Sequence, residues 1–137
     1  MFLKLTIPLE NIIKIGFIAK AMNLKLLLSK IKKVNKESNL NLIKRAYLFA
    51  EKAHEGQLRK SGEPYIKHPL NVALILSNIG MDDETICSGL LHDVLEDTKI
   101  TYGELSKEFG SNIADLVDGV TKISNLKYAT KEETDIE

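Results

Sequence analysis

The segment Ser88–Thr98 places four ionisable side chains in a stretch that is otherwise mostly apolar. On an α-helix, His92 stacks on Glu96 at a spacing of i,i+4. Asp93 stacks on Asp97 in the same way, so the four side chains form one acidic stripe headed by an imidazole. Apolar side chains cover much of the remaining circumference: Ile86, Leu90, Leu91, Val94 and Leu95. The pattern predicts a largely buried helix whose acidic stripe faces an interior cleft.

Carboxylates that are crowded together away from water either take up protons or bind a cation. The adjacent residues His92 and Asp93 are a natural ligand set for a divalent metal. Because helical side chains lean towards the N-terminus, Gly89 is expected to leave room for a metal or a phosphate beside them. A solvated helix end is the alternative interpretation of such a charge cluster, and this segment alone leaves both open.

Composition limits the classes of partner. The chain has 137 residues, which is enough for one domain or part of one. Its 19 basic and 19 acidic residues cancel, so no overall electrostatic field draws it to nucleic acid or to a membrane surface. The single cysteine, Cys87, excludes an intramolecular disulfide and suits a reducing cytosol, so a cytoplasmic location is predicted. We expect Cys87 to serve packing and not catalysis.

The first part of the chain, Met1–Ala21, is apolar but interrupted. Three residues interrupt its apolar run: Pro8, Glu10 and Lys14. It is too broken to span a bilayer, so a weak amphipathic helix is predicted, with Met22 as a second plausible start of the protein. A polar, basic connector follows over Lys30–Ser38. These features predict an N-terminal extension and connector over residues 1–38, whose first 21 residues are dispensable, and a domain over residues 39–137.

Several further helices are predicted around the acidic stripe. Apolar spacing predicts a helix over Asn41–His54, which Ser38 or Asn39 can cap. Pro69 suits the first position of a helix that is apolar nearly all round up to Ile79, and this helix is expected to be buried. Later helix starts are recognised at Asp82 or Asp83, at the capping box of Thr101 and Glu104, and at Ser111. Since no alternating strand pattern occurs, the chain is predicted to be all-α.

The segment Gln57–His68 is the least regular part of the chain. A turn is marked by Gly62 and Pro64, and three donor side chains come just before it: Arg59, Lys60 and Ser61. These donors suit contacts to phosphates and to a base, and Tyr65 adds an aromatic face and a hydroxyl. A solvated basic loop is the alternative interpretation of the same residues.

Two histidines flank this loop. His68 immediately precedes the helix predicted to start at Pro69, so it is held at the rim of a core element and is a candidate metal ligand. His54 lies in the last turn of its own helix, where an imidazole interacts favourably with the helix dipole. We therefore predict that His54 is structural and that it does not bind metal.

The motifs Arg59–Pro69 and His92–Thr98 together resemble the N-terminal hydrolase domain of the RelA/SpoT homologue family, whose members make and degrade the alarmone (p)ppGpp. The resemblance runs from about Asn41 to Asn125, and the two motifs occur in the family's order and separation. It implies an HD-domain helical bundle, a Mn²⁺ cofactor and the guanine nucleotide (p)ppGpp as substrate.

The resemblance also implies a role for each motif residue. Metal ligands are implied at His68, His92 and Asp93. An acidic pair that positions and deprotonates the attacking water is implied at Glu96 and Asp97. Nucleotide contacts are implied at Arg59, Lys60, Ser61 and Tyr65. The implied reaction is metal-assisted removal of the 3′-pyrophosphate, which yields GDP or GTP and pyrophosphate.

The family has a fourth metal ligand, an aspartate, on a later helix, and this sequence stops at Glu137 before reaching it. The resemblance therefore implies a C-terminally incomplete domain with poor hydrolysis and with self-association through exposed apolar surface. Asp115 or Asp118 would have to complete the site if turnover were high. Two alternatives stay open: an HD-type phosphohydrolase acting on another nucleotide, and an inactive, nucleotide-binding remnant of a bifunctional GTP pyrophosphokinase/(p)ppGpp hydrolase.

Overall fold

The computed structural model describes the backbone of residues 8–136 and the side chains of residues 8–11 and 23–123. Within this part of the chain there are helices, one isolated antiparallel bridge between Leu58 and Pro64, and no β-strand. The helices are α1 (Leu9–Val34), α2 (Leu40–Ala53), α3 (Lys67–Asn78), α4 (Asp83–Leu91), α5 (Val94–Asp97), α6 (Tyr102–Phe109) and α7 (Ser111–Ile136). The predicted all-α fold is confirmed.

Helix α1 runs without a break through Met22, which the sequence indicated as a second plausible start of the protein. Pro8 is its N-cap residue with a φ of −55°, so this proline begins the helix and does not interrupt it. Leu27 and Ile31 lie one turn apart and are buried where α1 packs on α2 and α3. The core therefore includes side chains from the segment predicted as an extension, while the domain boundary after residue 38 stays a prediction. Residues before Pro8 lie outside the described part.

The start of α2 is tied to α4 by hydrogen bonds. The Asn39 side chain accepts a hydrogen bond from the Leu42 N–H at 3.1 Å, which confirms it as the predicted cap. The Asn39 N–H in turn donates to Asp83 Oδ2 at 2.8 Å. Asp82 caps α4 by accepting from the Thr85 N–H at 2.8 Å, so the two adjacent aspartates have separate functions.

Helix α3 differs from its prediction in two respects. It begins at Lys67, so Pro69 lies within its first turn, where a missing N–H costs no hydrogen bond. It is not buried all round, because Ile75 and Ile79 are 60% and 61% exposed. The residues that face the core recur at helical spacing on one side only: Leu70, Ala73 and Ser77. The prediction of a fully buried helix was wrong because apolar composition does not decide how many sides of a helix are covered.

The helix predicted to run through Glu96 is interrupted. Helix α4 ends at Leu91, and His92 and Asp93 form a short turn before α5. The prediction that Gly89 leaves open space for a metal was also wrong. A Cβ atom at Gly89 would lie 2.6 Å from Leu76 Cδ1 and 3.2 Å from Val72 Cγ1, so the glycine allows α3 to pack closely on α4.

Helices α6 and α7 close the bundle on the side of α4. The predicted capping box is confirmed: Thr101 Oγ1 accepts from the Glu104 N–H at 3.2 Å, and the Glu104 carboxylate accepts from the Thr101 N–H at 3.3 Å. Helix α7 packs on α4 and α6 through buried apolar residues: Ile113, Ala114 and Val117. None of the described helices is long and apolar enough to cross a lipid bilayer.

Candidate active site

Three side chains from two elements meet at the predicted metal site. His68 lies in the first turn of α3, and His92 and Asp93 lie in the turn between α4 and α5. His68 Nε2 is 3.1 Å from His92 Nε2, Asp93 Oδ2 is 3.0 Å from His92 Nε2, and Asp93 Oδ2 is 3.7 Å from His68 Nε2. Ligand atoms that share one ion at ~2.0–2.2 Å lie roughly 3–3.5 Å from each other. These three ligand atoms form a triangle, here called the metal triangle, of the size that a divalent metal requires.

The backbone of α4 orients His92. Its Nδ1 donates a hydrogen bond to the Gly89 carbonyl oxygen at 2.6 Å, which places the free lone pair on Nε2. Nε2 is the atom that faces His68 and Asp93. A carbonyl that fixes the ring of a metal-binding histidine is a common supporting contact, and nothing in the side-chain pattern of the sequence signals it.

Protonation of the three groups follows their surroundings. Burial and the adjacent His92 ring lower the pKa of His68 below its usual value, so its lone pair is free near neutral pH. Burial lowers the pKa of His92, but hydrogen bonds to Asp93 and the Gly89 carbonyl outweigh burial and leave this pKa raised. Burial raises the pKa of Asp93, yet the hydrogen bond with His92 and the charges of both histidines leave it lowered overall. A metal entering the site therefore competes with a proton at His92.

Tyr65 joins the metal-site carboxylate to the acidic pair. Its hydroxyl donates to Asp93 Oδ2 at 3.2 Å and makes a short hydrogen bond to Asp97 Oδ2. Burial and the hydrogen bond to Asp97 raise the pKa of the Tyr65 phenol above its usual value. The hydroxyl thus contacts carboxylates of the protein itself. The nucleotide contact implied for Tyr65 stays a prediction, and it would be made by the aromatic ring.

The donor loop is a small hairpin. The Arg59 N–H donates to the Glu63 carbonyl at 2.9 Å, and the Gly62 N–H donates to the Arg59 carbonyl at 2.8 Å. Gly62 has a φ of +85°, which a hairpin closed by three residues needs at this position. The side chains of Arg59, Lys60 and Ser61 are all exposed at its tip. The turn predicted at Gly62 is therefore present, and it carries three exposed donors.

One cavity of about 790 Å³ brings the hairpin and the acidic residues together. Its walls are formed by Leu58, Arg59, Lys60, Ser61, Tyr65, Asp93, Glu96 and Asp97. The lining thus combines the donors of the hairpin with three carboxylates, and Asp93 belongs both to this cavity and to the metal triangle. Glu96 and Asp97 are exposed, so they do not occupy the buried cleft that a continuous helix predicted.

The other candidates lie away from the triangle. Asp115 accepts a hydrogen bond from the Tyr102 hydroxyl, and Asp118 pairs with Lys122 at 3.0 Å. Among the described residues, neither belongs to a group that could share a metal with His68. Cys87 is fully buried, and burial raises the pKa of its thiol to about 12, which suits the packing role that was predicted.

Comparison with known proteins extends this description. Residues 46–137 match the HD domain. The guanosine-3′,5′-bis(diphosphate) 3′-pyrophosphohydrolase of Aquifex aeolicus (strain VF5) is 58% identical over 90 residues, which are 66% of this chain and 13% of that protein. The bifunctional (p)ppGpp synthase/hydrolase SpoT of Escherichia coli (strain K12) is 48% identical over 101 residues, or 74% of this chain and 14% of that protein. The GTP pyrophosphokinase of Myxococcus xanthus is 54% identical over 90 residues, 66% of this chain and 12% of that protein.

These relatives confirm the resemblance to the RelA/SpoT homologues, and the chain spans between 12% and 14% of their lengths. The matched range begins on α2 and contains the hairpin, the metal triangle and the acidic pair. Because the family match covers well over half of the sequence, the chain belongs to the HD-domain family.

Proposed function

We propose that this chain carries a divalent-metal-dependent hydrolase site that removes the 3′-pyrophosphate of (p)ppGpp in the cytoplasm. The observation that carries the proposal is one cavity that is lined both by the donors of the hairpin and by Asp93, Glu96 and Asp97. Such a cavity suits a substrate with phosphates at one end and a metal-assisted reaction at the other. Relatives named as a guanosine-3′,5′-bis(diphosphate) 3′-pyrophosphohydrolase and as a (p)ppGpp synthase/hydrolase support this substrate class.

His68, His92 and Asp93 would hold the metal, which we propose to be Mn²⁺. Two imidazole nitrogens and a carboxylate oxygen suit several first-row divalent ions, so the donor set fits Mn²⁺ without selecting it. When bound, such an ion supplies a Lewis acid that polarises a phosphoryl oxygen and makes water a better nucleophile. The raised pKa of His92 predicts that occupancy falls as the solution is made more acidic.

The acidic pair handles the proton of the attacking water. Asp97 is fixed by the Tyr65 hydroxyl, and Glu96 lines the same cavity with no such restraint. Water adds to the phosphorus attached to the 3′ oxygen, the bond from phosphorus to that oxygen breaks, and the carboxylates pass the water proton to the departing 3′ oxygen. The products are GDP or GTP and pyrophosphate.

The hairpin would hold the nucleotide. A guanidinium, an ammonium and a hydroxyl at Arg59, Lys60 and Ser61 can donate to phosphate oxygens, and the planar guanidinium can also stack on a base. All three side chains are exposed, so each must lose part of its hydration when it contacts the nucleotide. Contacts between exposed charges are screened by salt, so nucleotide binding should weaken as the salt concentration rises.

The experiment is a hydrolysis assay on the purified chain with Mn²⁺. Release of pyrophosphate and GDP from ppGpp is measured by chromatography, beside a panel of other nucleotides. We expect turnover above the level of an Asp97→Asn variant but low, because the described residues supply three ligands and hold the ion loosely. Hydrolysis of another nucleotide in preference to ppGpp would contradict the proposed substrate. Nucleotide binding with no turnover on any substrate would show a non-catalytic binding module.

A further inference from the structure

Four residues, one of them Asp97 of the acidic pair, form a closed ring of contacts. The His54 ring stacks on the Tyr65 ring, with centroids 4.5 Å apart and an interplanar angle of 21°. His54 Nδ1 is 3.1 Å from Gln57 Oε1, and Gln57 Nε2 donates to the Asp97 carbonyl oxygen at 2.9 Å. The Tyr65 hydroxyl closes the ring by donating to the Asp97 carboxylate. The end of α2 is thereby linked to both the backbone and the side chain of Asp97.

The orientation of the Gln57 amide determines which ring nitrogen of His54 carries a proton. Because the carbonyl oxygen of Asp97 can only accept, the amide nitrogen of Gln57 must face it, and the amide oxygen must face His54. An amide oxygen also only accepts, so His54 must carry a proton on Nδ1. The contacts therefore select one tautomer of a buried imidazole.

The second ring nitrogen of His54 indicates why a histidine, and not another aromatic residue, occupies this position. His54 is 3% exposed, and its Nε2 atom is buried with no hydrogen-bond partner in the described structure. A phenylalanine ring would stack on Tyr65 equally well and would bury no unpaired nitrogen. The feature that a phenylalanine could not supply is the Nδ1–H that holds Gln57.

From these contacts we propose that His54 and Gln57 are positioning residues, which hold Tyr65 and Asp97 in the geometry that the hydrolysis step needs. This inference rests on the proposed function. His54 acts on the Tyr65 ring by stacking, and Gln57 fixes the backbone carbonyl of Asp97, so the carboxylate is restrained from two directions. Neither residue is a member of the metal triangle. The pair reaches the metal triangle only through the Tyr65 hydroxyl and Asp93, so it should affect the rate of the chemical step more than the affinity for metal.

Three variants without a change of formal charge separate the contacts. His54→Phe keeps the stacking and removes the bond to Gln57, while Gln57→Met removes both bonds of the amide. His54→Asn loses the stacking but places an amide N–H near the position of Nδ1. Glu55→Gln is the matched control, because Glu55 is the exposed neighbour of His54.

We expect kcat for ppGpp hydrolysis to fall about tenfold to a hundredfold in His54→Phe and Gln57→Met, since small misplacements of reacting groups cost that much. The Mn²⁺ dissociation constant should change much less than kcat, because the pair reaches Asp93 only through Tyr65. KM and the melting temperature should stay close to those of the wild type. His54→Asn should recover part of the loss, and Glu55→Gln should behave as the wild type. An unchanged kcat in both variants would overturn the inference. So would equal losses of kcat and Mn²⁺ affinity, or a His54→Asn variant slower than His54→Phe.

A second measurement does not need activity. Imidazole ¹⁵N NMR should find the proton of His54 on Nδ1 in the wild type, and the ring resonances of Tyr65 should shift in Gln57→Met but not in Glu55→Gln. If the wild type does not hydrolyse ppGpp while these NMR results hold, the proposed function fails and the positioning contacts stand. An Nε2-protonated His54, or unmoved Tyr65 resonances, would reject the contacts themselves.

Discussion

At the scale of single residues, the site depends on which atom each side chain presents. His68 and His92 both present Nε2 to Asp93, and the Gly89 carbonyl fixes this choice for His92. His54 presents Nδ1 to Gln57 and stacks on Tyr65. Similar residue types thus perform different functions because the backbone around each imidazole differs.

The first prediction compares two of these histidines. His68→Ala should weaken Mn²⁺ binding by about a hundredfold or more, because removing a ligand exceeds the ~10–100-fold cost of losing a supporting contact. His54→Ala should change the affinity only slightly, since His54 is not part of the triangle. Isothermal titration of both variants with Mn²⁺ measures this. A loss of affinity in His54→Ala alone would reverse the assignment.

At the scale of elements, sequence patterns indicated the capped starts of helices well and the relations between helices poorly. The caps at Asn39, Asp82 and Thr101 follow local chemistry, so they could be predicted. The break between α4 and α5 at His92 could not be predicted, because the apolar spacing of the sequence continues unbroken to Leu95. Gly89 was misread for a related reason: the surface that meets its missing Cβ belongs to α3, and contact between elements distant in the chain leaves no local signal.

The second prediction tests the contact between α3 and α4. Gly89→Ala should have a free energy of unfolding ~1–3 kcal/mol below that of Gly119→Ala, because its Cβ would meet Leu76 Cδ1 at 2.6 Å and Val72 Cγ1 at 3.2 Å. Gly119→Ala is the control, since no atom lies within 4 Å of its added Cβ and alanine favours the helix by up to about 1 kcal/mol. Urea unfolding of both variants decides the matter. Equal stability of the two variants would contradict the close packing.

The third prediction concerns α1. A chain starting at Met22 retains Leu27 and Ile31, so its melting temperature should fall by less than about 4 °C, equivalent to roughly 1 kcal/mol for a domain of this size. Leu27→Ala in that shortened chain should cost ~2–5 kcal/mol, since Leu27 is fully buried. Thermal unfolding followed by circular dichroism measures both changes. A large loss on removal of residues 1–21 would show that they contribute to folding.

At the scale of the whole molecule, the core and the site share the same elements. Helix α3 packs on α1 and α4, and it also carries the candidate ligand His68, while the turn after α4 carries the other two candidates, His92 and Asp93. The outer side of α3 remains apolar and exposed at Ile75 and Ile79. The sequence could predict a bundle and its two motifs, but not which apolar side chains would face solvent.

The fourth prediction follows from that exposed side. We expect the chain to associate at higher concentration, because two large apolar side chains one turn apart gain by leaving water. Replacing Ile75 and Ile79 together by lysine should weaken the association, whereas Leu48→Lys on α2 should not. Sedimentation velocity over a range of concentrations measures the effect. A wild-type chain that stays monomeric throughout the range would refute it.

The last prediction uses the metal to test how the site and the fold are connected. An ion held by His68 on α3 and by His92 and Asp93 after α4 binds only the folded chain, so it must stabilise the whole bundle. With free Mn²⁺ at a hundred times its dissociation constant, the gain is ~2.7 kcal/mol, which corresponds to a rise in melting temperature of roughly 10 °C. His68→Ala should remove nearly all of this rise, and His54→Ala should retain it. Mg²⁺, which prefers oxygen ligands, should stabilise the wild type less than Mn²⁺ does. A melting temperature that does not respond to Mn²⁺ would show that the triangle holds no metal at these concentrations, and the proposed reaction would then lose its source of Lewis-acid chemistry.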